Sequence, residues 1–255
     1  MSGSLVIVGL GPGSSDLLTP AAARALQAAT DLVGYGPYLD RIPAATVGQR
    51  RHASGNRVEI ERARHALKLA AQGNKVAVVS GGDPGVFAMA AAVFEAVEAG
   101  DPAWRELDIR IEPGITAMLA AAAEVGAPLG ADFCAISLSD NLKSWQTIER
   151  RLRAAAEGDF VIALYNPASR ARPHQLGRAF DLLRATKSPE SIVLFVRSAA
   201  TSEARVVTTV LAEADAALAD MRTLVIIGAA ATRLISRGAR RPWVYTPRAE
   251  QEVVR

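Results

Sequence analysis

Residues Ser80 to Phe87 read SGGDPGVF and directly follow the apolar run Val76 to Val79. A short apolar run closed by three glycines and a proline is a strand ending in a tight turn, and a strand that ends this way exposes main chain to a ligand. Glycine has no Cβ, so Gly81, Gly82 and Gly85 are expected to permit positive φ and to let a bulky group lie against bare amides, while Pro84 stiffens the bend. That geometry suits a nucleoside-like cofactor.

A second glycine turn, Gly9-Leu10-Gly11-Pro12-Gly13, ends the first apolar run, Leu5 to Val8. It invites comparison with the dinucleotide fingerprint G-x-G-x-x-G, and it fails twice. Ser14 stands where the third glycine belongs, and Asp31 precedes the second run, Leu32 to Tyr35, instead of closing it to hold a ribose. A nicotinamide or flavin oxidoreductase is therefore not the expectation.

The chain of 255 residues is 50% hydrophobic, enough for one large or two modest domains with real cores. Glu95 and Glu124 break the longest apolar stretches below the ~18 residues of a membrane span, and the start lacks a charged leader, so a soluble, cytoplasmic protein without membrane association is expected. Cys134 is alone, which excludes an internal disulfide, and His52, His65 and His174 are too scattered in sequence for a metal site. Net charge is +3 and lysine occurs only at 68, 75, 143 and 187, the other basic residues being arginine. The arginine fork suits a polyanionic small molecule, while the excess of alanine and arginine together is also what GC-rich coding produces. There is no basic-plus-aromatic stripe, so nucleic acid is not an expected partner.

Short β-rich runs alternate with alanine-rich helical stretches from end to end, which predicts an α/β fold with mixed, mostly parallel sheets. Strands are expected at Leu5–Val8, Leu32–Tyr35, Lys75–Val79, Ile109–Glu112, Cys134–Ser137, Phe160–Tyr165, Ile192–Val196, Arg205–Thr208 and Leu224–Ile227. Thr19-Pro20 reads as N-cap and first turn of a helix, and the helix Glu59–Gln72 stops at Gly73. Its buried stripe would be Ile60, Ala63, Leu67 and Ala70, with His65 facing solvent. Pro113-Gly114 and the run Gly126, Pro128, Gly130 mark a boundary, giving domains 1–113 and 114–255, the second with a polar tail carrying Arg240, Arg241 and Arg248 for which disorder is the default. Glycine- or proline-bearing turns at Gly9–Gly13, Gly81–Gly85, Pro113–Thr116 and Tyr165–Pro167 fall in both halves, so a ligand is expected in the cleft where those halves meet.

Taken in order, VGLGPG, SGGDPGVF, EPGITA, ALYNPASRAR and TLVIIG resemble the tetrapyrrole methylases, S-adenosylmethionine-dependent enzymes. From Phe133 through Leu138, Trp145 and Tyr165-Asn166-Pro167 to Arg172, the chain looks most like the branch that methylates C-17 of precorrin-3B in cobalamin biosynthesis. The resemblance implies a two-domain α/β fold that forms a homodimer, S-adenosyl-L-methionine as cofactor, no metal, and a polycarboxylate tetrapyrrole as substrate. It also implies a cofactor pocket lined by Pro12 and Phe87, in which Gly81, Gly82 and Asp83 with Val86 border the methionine portion, Thr116 and Ala117 follow them, and Tyr165, Asn166, Thr223 and Leu224 surround the adenosine.

Each of these residues has a plainer reading too. Asp83 is a natural turn residue that caps amides, Thr116 is placed to N-cap a helix running to Val125, and Asn166-Pro167 is ordinary turn chemistry. Met89 and Met118 read as core. Relatives that methylate uroporphyrinogen carry an aspartate where this chain has Ser14 and an arginine where it has Met89, so no catalytic acid or base is transferred. For the substrate's acetate and propionate groups the candidates are Gly11 and Gly13 in the first turn and the cations Arg50, Arg51, Arg170, Arg172 and Arg197.

Overall fold

The computed structural model describes residues 3–43, 48–56 and 58–249. The chain divides into two compact units, residues 1–117 and 118–255.

The first unit alternates strand and helix: β1 (Ser4–Gly9), α1 (Pro20–Ala28), β2 (Asp31–Tyr35), α2 (Gly36–Leu39), β3 (Arg50–Ser54), α3 (Glu59–Ala71), β4 (Lys75–Ser80), α4 (Met89–Ala99) and β5 (Asp108–Glu112). The strands form one parallel sheet in the order β3-β2-β4-β1-β5. The central strands are apolar throughout because both faces are covered. Ile7, Val33, Val76 and Val78 pack with α3 and α4, while Val8, Leu32, Ala77 and Val79 pack with α1 and α2. Thr19 caps α1 by accepting from Ala22 N at 3.1 Å, and α3 is followed by Gly73 at φ 91°.

The second unit runs α5 (Ala117–Val125, its first residue closing the preceding unit), β6 (Gly126–Ala127), β7 (Phe133–Ser137), α6 (Trp145–Glu157), β8 (Val161–Tyr165), α7 (Gln175–Arg184), β9 (Ile192–Arg197), β10 (Arg205–Val210), β11 (Thr223–Ile227), β12 (Arg233–Arg237) and β13 (Arg240–Tyr245). Its main sheet, β10-β9-β11-β8-β7, is mixed: β7 and β8 are parallel, and β11 runs antiparallel to both β8 and β9. One face buries Ile162, Leu164, Phe195 and Val225 under α6 and α7, with Phe180 edge-on to Phe195 at 6.0 Å. Each such fully buried side chain is worth about 1.5–3 kcal/mol.

All nine expected strands are present with ends within two residues of those read from sequence. Four more are added, and two of them overturn an expectation. The stretch with Arg240 and Arg241 is ordered: it forms β13 of a hairpin with β12, which turns at Gly238 (φ 64°), stacks Arg237 on Trp243 at 3.9 Å and buries Val244 beside Gly126. β3 and β12 escaped notice because edge strands carry charge instead of an apolar run. In α3 the buried set is Arg62, Ala63, Ala66, Leu67 and Ala70, with Ile60 only half-buried. Met89 and Met118 are core residues, and among the described residues no helix is long and apolar enough to cross a membrane.

Candidate functional site

In the first unit β4, β1 and β5 are adjacent and parallel, so the turns that leave their carboxyl ends emerge on one edge of the sheet. Three turns lock together there. Gly11 and Gly82 exchange backbone hydrogen bonds, Gly11 N to Gly82 O at 3.1 Å and Gly82 N to Gly11 O at 2.9 Å. Asp83 accepts from Gly85 N at 2.8 Å through Oδ1 and from Gly114 N at 3.0 Å through Oδ2. Asp83 therefore caps amides, and in doing so ties the second turn to the third.

The glycines have reasons other than a shared backbone conformation. Of Gly81, Gly82 and Gly85 only Gly82 has positive φ, at 64°, so that expectation is corrected for Gly81 and Gly85. A Cβ on Gly81 would sit 2.7 Å from the Tyr38 ring, and one on Gly85 3.1 Å from Asp83 Oδ1. A Cβ on Gly114 would sit 2.2 Å from Gly82 O, and one on Gly9 2.6 Å from Gly114 N. At Gly9 and Gly114 the turns approach so closely that a side chain has no room. The left-handed residue at the end of the stretch is Phe87, at φ 53° and half exposed, a conformation that costs a non-glycine residue about 1–2 kcal/mol. Pro12 and Val86 are half-buried beside it in sequence, Gly13 leads into Ser14, which caps the 3-10 turn Ser15–Leu17, and Thr116 is buried just before Ala117 opens α5.

The second unit builds its edge from side chains. Tyr165 and Asn166 close β8, and Thr223 and Leu224 open β11. The antiparallel register pairs Val225 with Leu164, which brings the end of β8 and the start of β11 to the same edge of the sheet. Four residues assigned to one ligand portion from distant segments thus converge. Asn166 adopts φ 52° and donates from Nδ2 to Ser137 Oγ at 2.9 Å. The Tyr165 hydroxyl accepts from Met118 N at 3.0 Å and so caps the first turn of α5. The buried Thr223 hydroxyl donates to Asp220 Oδ1 at 2.9 Å.

The candidate arginines divide. Arg50 starts β3, at the opposite edge of the first sheet from the glycine turns, where Nε and Nη2 donate to the buried Asp31 at 2.8 Å each. Burial pushes the Asp31 carboxyl up, but the hydrogen bonds from Arg50, Thr30 and His52 outweigh it and hold the pKa at about 2. Arg51 is committed to the carbonyls of Leu39, Ile42 and Pro43. Arg197 is at the second unit's edge, paired across β9–β11 with Thr223, and its Nε donates to Asp220 Oδ2 at 2.8 Å. Arg170 is exposed and Arg172 half-buried on the segment between β8 and α7. His65 is exposed as expected, yet its Nε2 lies 3.1 Å from His52 Nδ1, and His52 Nε2 lies 2.8 Å from Asp31, so two histidines far apart in sequence form one chain with the carboxylate. Among the described residues no group of three or more His, Cys, Asp or Glu could hold a metal ion.

Two features escaped the sequence. Arg41 Nη2 donates to Leu10 O at 3.0 Å and to Gly11 O at 3.1 Å, bracing the first glycine turn; burial draws its guanidinium down from its ordinary pKa. No spacing rule points from Arg41 to a turn thirty residues earlier. Ser198 and Ala200, at φ 50° and 59°, follow β9 on the same edge as Tyr165. With no glycine there, nothing flagged that turn.

The family model for Tetrapyrrole (Corrin/Porphyrin) Methylases matches residues 4–215. Over 248 residues the chain is 56% identical to a precorrin-3B C(17)-methyltransferase of Sinorhizobium sp, covering 97% of each. The crystal structure of the methyltransferase CobJ superposes with a TM-score of 0.92 at 54% identity, covering 96% of this chain and all of that one. A uroporphyrin-III C-methyl transferase from Thermus thermophilus, solved with S-adenyl homocysteine, shares the fold at a TM-score of 0.67 and 24% identity, over 89% of this chain and 97% of its own. Match and motif order agree along almost the whole length, and the chain belongs to the tetrapyrrole methylases.

Proposed function

We propose that this chain transfers a methyl group from S-adenosyl-L-methionine to C-17 of precorrin-3B, with contraction of the ring and release of C-20 into an acetyl group, giving precorrin-4. The observation that carries this reading is the 56% identity along 97% of both chains with a precorrin-3B C(17)-methyltransferase. When bound, S-adenosyl-L-methionine supplies a methyl group on a positively charged sulfur, leaving as S-adenosyl-L-homocysteine.

The residues present fit such a ligand. The first unit offers a wall of main chain with the half-buried Pro12 and Val86 and the half-exposed Phe87 beside it. The second gathers Tyr165, Asn166, Thr223 and Leu224 at one sheet edge. On this reading Gly81, Gly82, Asp83, Val86, Phe87, Thr116 and Ala117, with Pro12, contact the methionine portion, and the second group contacts the adenosine. Asp83 acts by holding two turns in register, and Asn166 by fixing the bend at the end of β8. The protein's share of the rate is alignment of acceptor carbon and methyl group, which is worth about 7–11 kcal/mol when complete. A homodimer in the cytoplasm, with no nucleic acid or membrane partner, completes the proposal.

Incubating the pure chain with the methyl donor and precorrin-3B should give a contracted product one methyl group heavier by mass spectrometry, with one S-adenosyl-L-homocysteine per product. A macrocycle recovered unchanged under those conditions refutes the reading. Sedimentation should report twice the 26.8 kDa chain mass.

A further inference from the structure

Among the described residues, the buried side-chain polar atoms without a hydrogen-bond partner are Ser169 Oγ, Arg172 Nε and Nη1, Gln175 Oε1 and Ser198 Oγ. A folded chain satisfies nearly all such atoms, because each one left unpaired away from water forfeits the hydrogen bond it had in solvent. Here they are not scattered. All but one lie in the seven-residue span from Ser169 to Gln175, and the remaining one follows β9 at the same sheet edge.

The span is built, not slack. Ser169 N donates to Arg172 O at 3.1 Å and Arg172 N to Ser169 O at 3.0 Å, closing a small antiparallel bridge just after Asn166-Pro167. Gln175 is 92% buried at the start of the ten-residue helix α7, with its Nε2 fixed by Asp140 Oδ2 at 3.2 Å. Arg172 has no ion pair with any described residue, unlike Arg50 with Asp31 and Arg197 with Asp220. A half-buried guanidinium whose Nε and Nη1 are shielded from water and idle calls for an anion, and the Ser169 hydroxyl beside it in the bridge can donate to the same group.

Resting on the function proposed above, we infer that Arg172, with Ser169, binds a peripheral carboxylate of the tetrapyrrole and so fixes how the macrocycle lies against the segment that begins with Tyr165 and Asn166. Arg50 and Arg197 are each paired with a carboxylate, and Arg51 is spent on three carbonyls, so Arg172 is the candidate left without an internal partner among these four.

Fluorescence titration of the full-length chain, saturated with S-adenosyl-L-homocysteine, against the stable octacarboxylate uroporphyrin III tests this. Arg172→Gln should weaken porphyrin binding about 10- to 100-fold, the range of a charged hydrogen-bonded contact. Arg172→Lys should fall between it and the wild type, and Arg150→Gln on exposed α6, an equal loss of charge, should change it less than about twofold. S-adenosyl-L-homocysteine affinity should be the same in all, and the Tm of ligand-free Arg172→Gln should be no lower than that of wild type, because the arginine it loses makes no side-chain bond there. With precorrin-3B as substrate, Arg172→Gln should raise KM by a similar factor. Unaltered porphyrin binding in Arg172→Gln, or a lowered Tm as its only effect, overturns the inference. A wild-type chain that binds S-adenosyl-L-homocysteine but no uroporphyrin overturns it while leaving the methyltransferase reading standing, and one that binds neither removes both.

Discussion

The edges of the two sheets that carry the candidate site residues are built from different materials. In the first unit three turns are held by main chain touching main chain, Gly11 to Gly82 and Gly9 against Gly114, with the Asp83 carboxylate as a side-chain strut between two of them. In the second, side chains do the holding: Asn166 on Ser137 and Tyr165 on Met118 at the end of β8, and Thr223 on Asp220 just before β11. The difference lies in spacing: at the first edge the turns after β4, β1 and β5 approach until a Cβ on Gly9 or Gly114 has no room, while at the second Asn166 spans the adjacent parallel ends of β8 and β7 with its side chain. Main-chain packing leaves no room for a Cβ at Gly9 or Gly114 on the first edge; on the second, side chains make the bridges.

If that contrast is right, the largest effect belongs to Gly114→Ala, whose Cβ would stand 2.2 Å from Gly82 O. It should cost about 3 kcal/mol or more in denaturant unfolding and abolish S-adenosyl-L-homocysteine binding by calorimetry, because backbone cannot step aside as a flexible side chain would. A tolerated alanine there would break the comparison. Next comes Asp31→Asn, at the far edge of the same sheet, expected to cost about 2 kcal/mol through its hydrogen bonds from charged partners while leaving ligand affinity unaltered. The wild type should show its signature in acid: the folded carboxyl titrates at about 2 against 3.8 for an ordinary aspartate, so this stabilisation is complete above about pH 4 and is lost as pH falls through 2. Acid unfolding followed by circular dichroism should lose that slope in the variant.

Asp83→Ala should cost about 1–2 kcal/mol, because it strands the Gly85 and Gly114 amides, and should weaken cofactor binding more than stability alone would require. The smallest effect is Tyr165→Phe in the second unit, about 1 kcal/mol or less for one cap on α5, read as a small shift in Tm. A Tyr165→Phe penalty equal to that of Gly114→Ala would show that the two edges are equally rigid.

Much of this was legible in the chain, for identifiable reasons. Apolar runs such as Val76 to Val79 and Val161 to Leu164 announce buried strands because strands covered on both faces need no polar alternation. Thr19-Pro20 and Gly73 mark helix ends through chemistry that acts over a few residues. The edge strand with Arg50 and the Arg233–Tyr245 hairpin were not legible, since their stability comes from partners distant in sequence, Asp31 for the one and Gly126 for the other.

The sequence by itself determined which turns carry glycine, where the α/β alternation begins and ends, and the family whose motif order the chain follows, because these depend on local backbone freedom and on hydrophobic runs that any reader of the chain can see. Only the tertiary structure decided what each charged residue does. Arg50 and Arg172 are the same residue type with the same composition-level meaning, yet one is satisfied by a carboxylate nineteen positions away and the other is half-buried with two idle donors. An ion pair or its absence is set by which segments the fold brings within a few ångströms, and no local rule in the sequence encodes that distance.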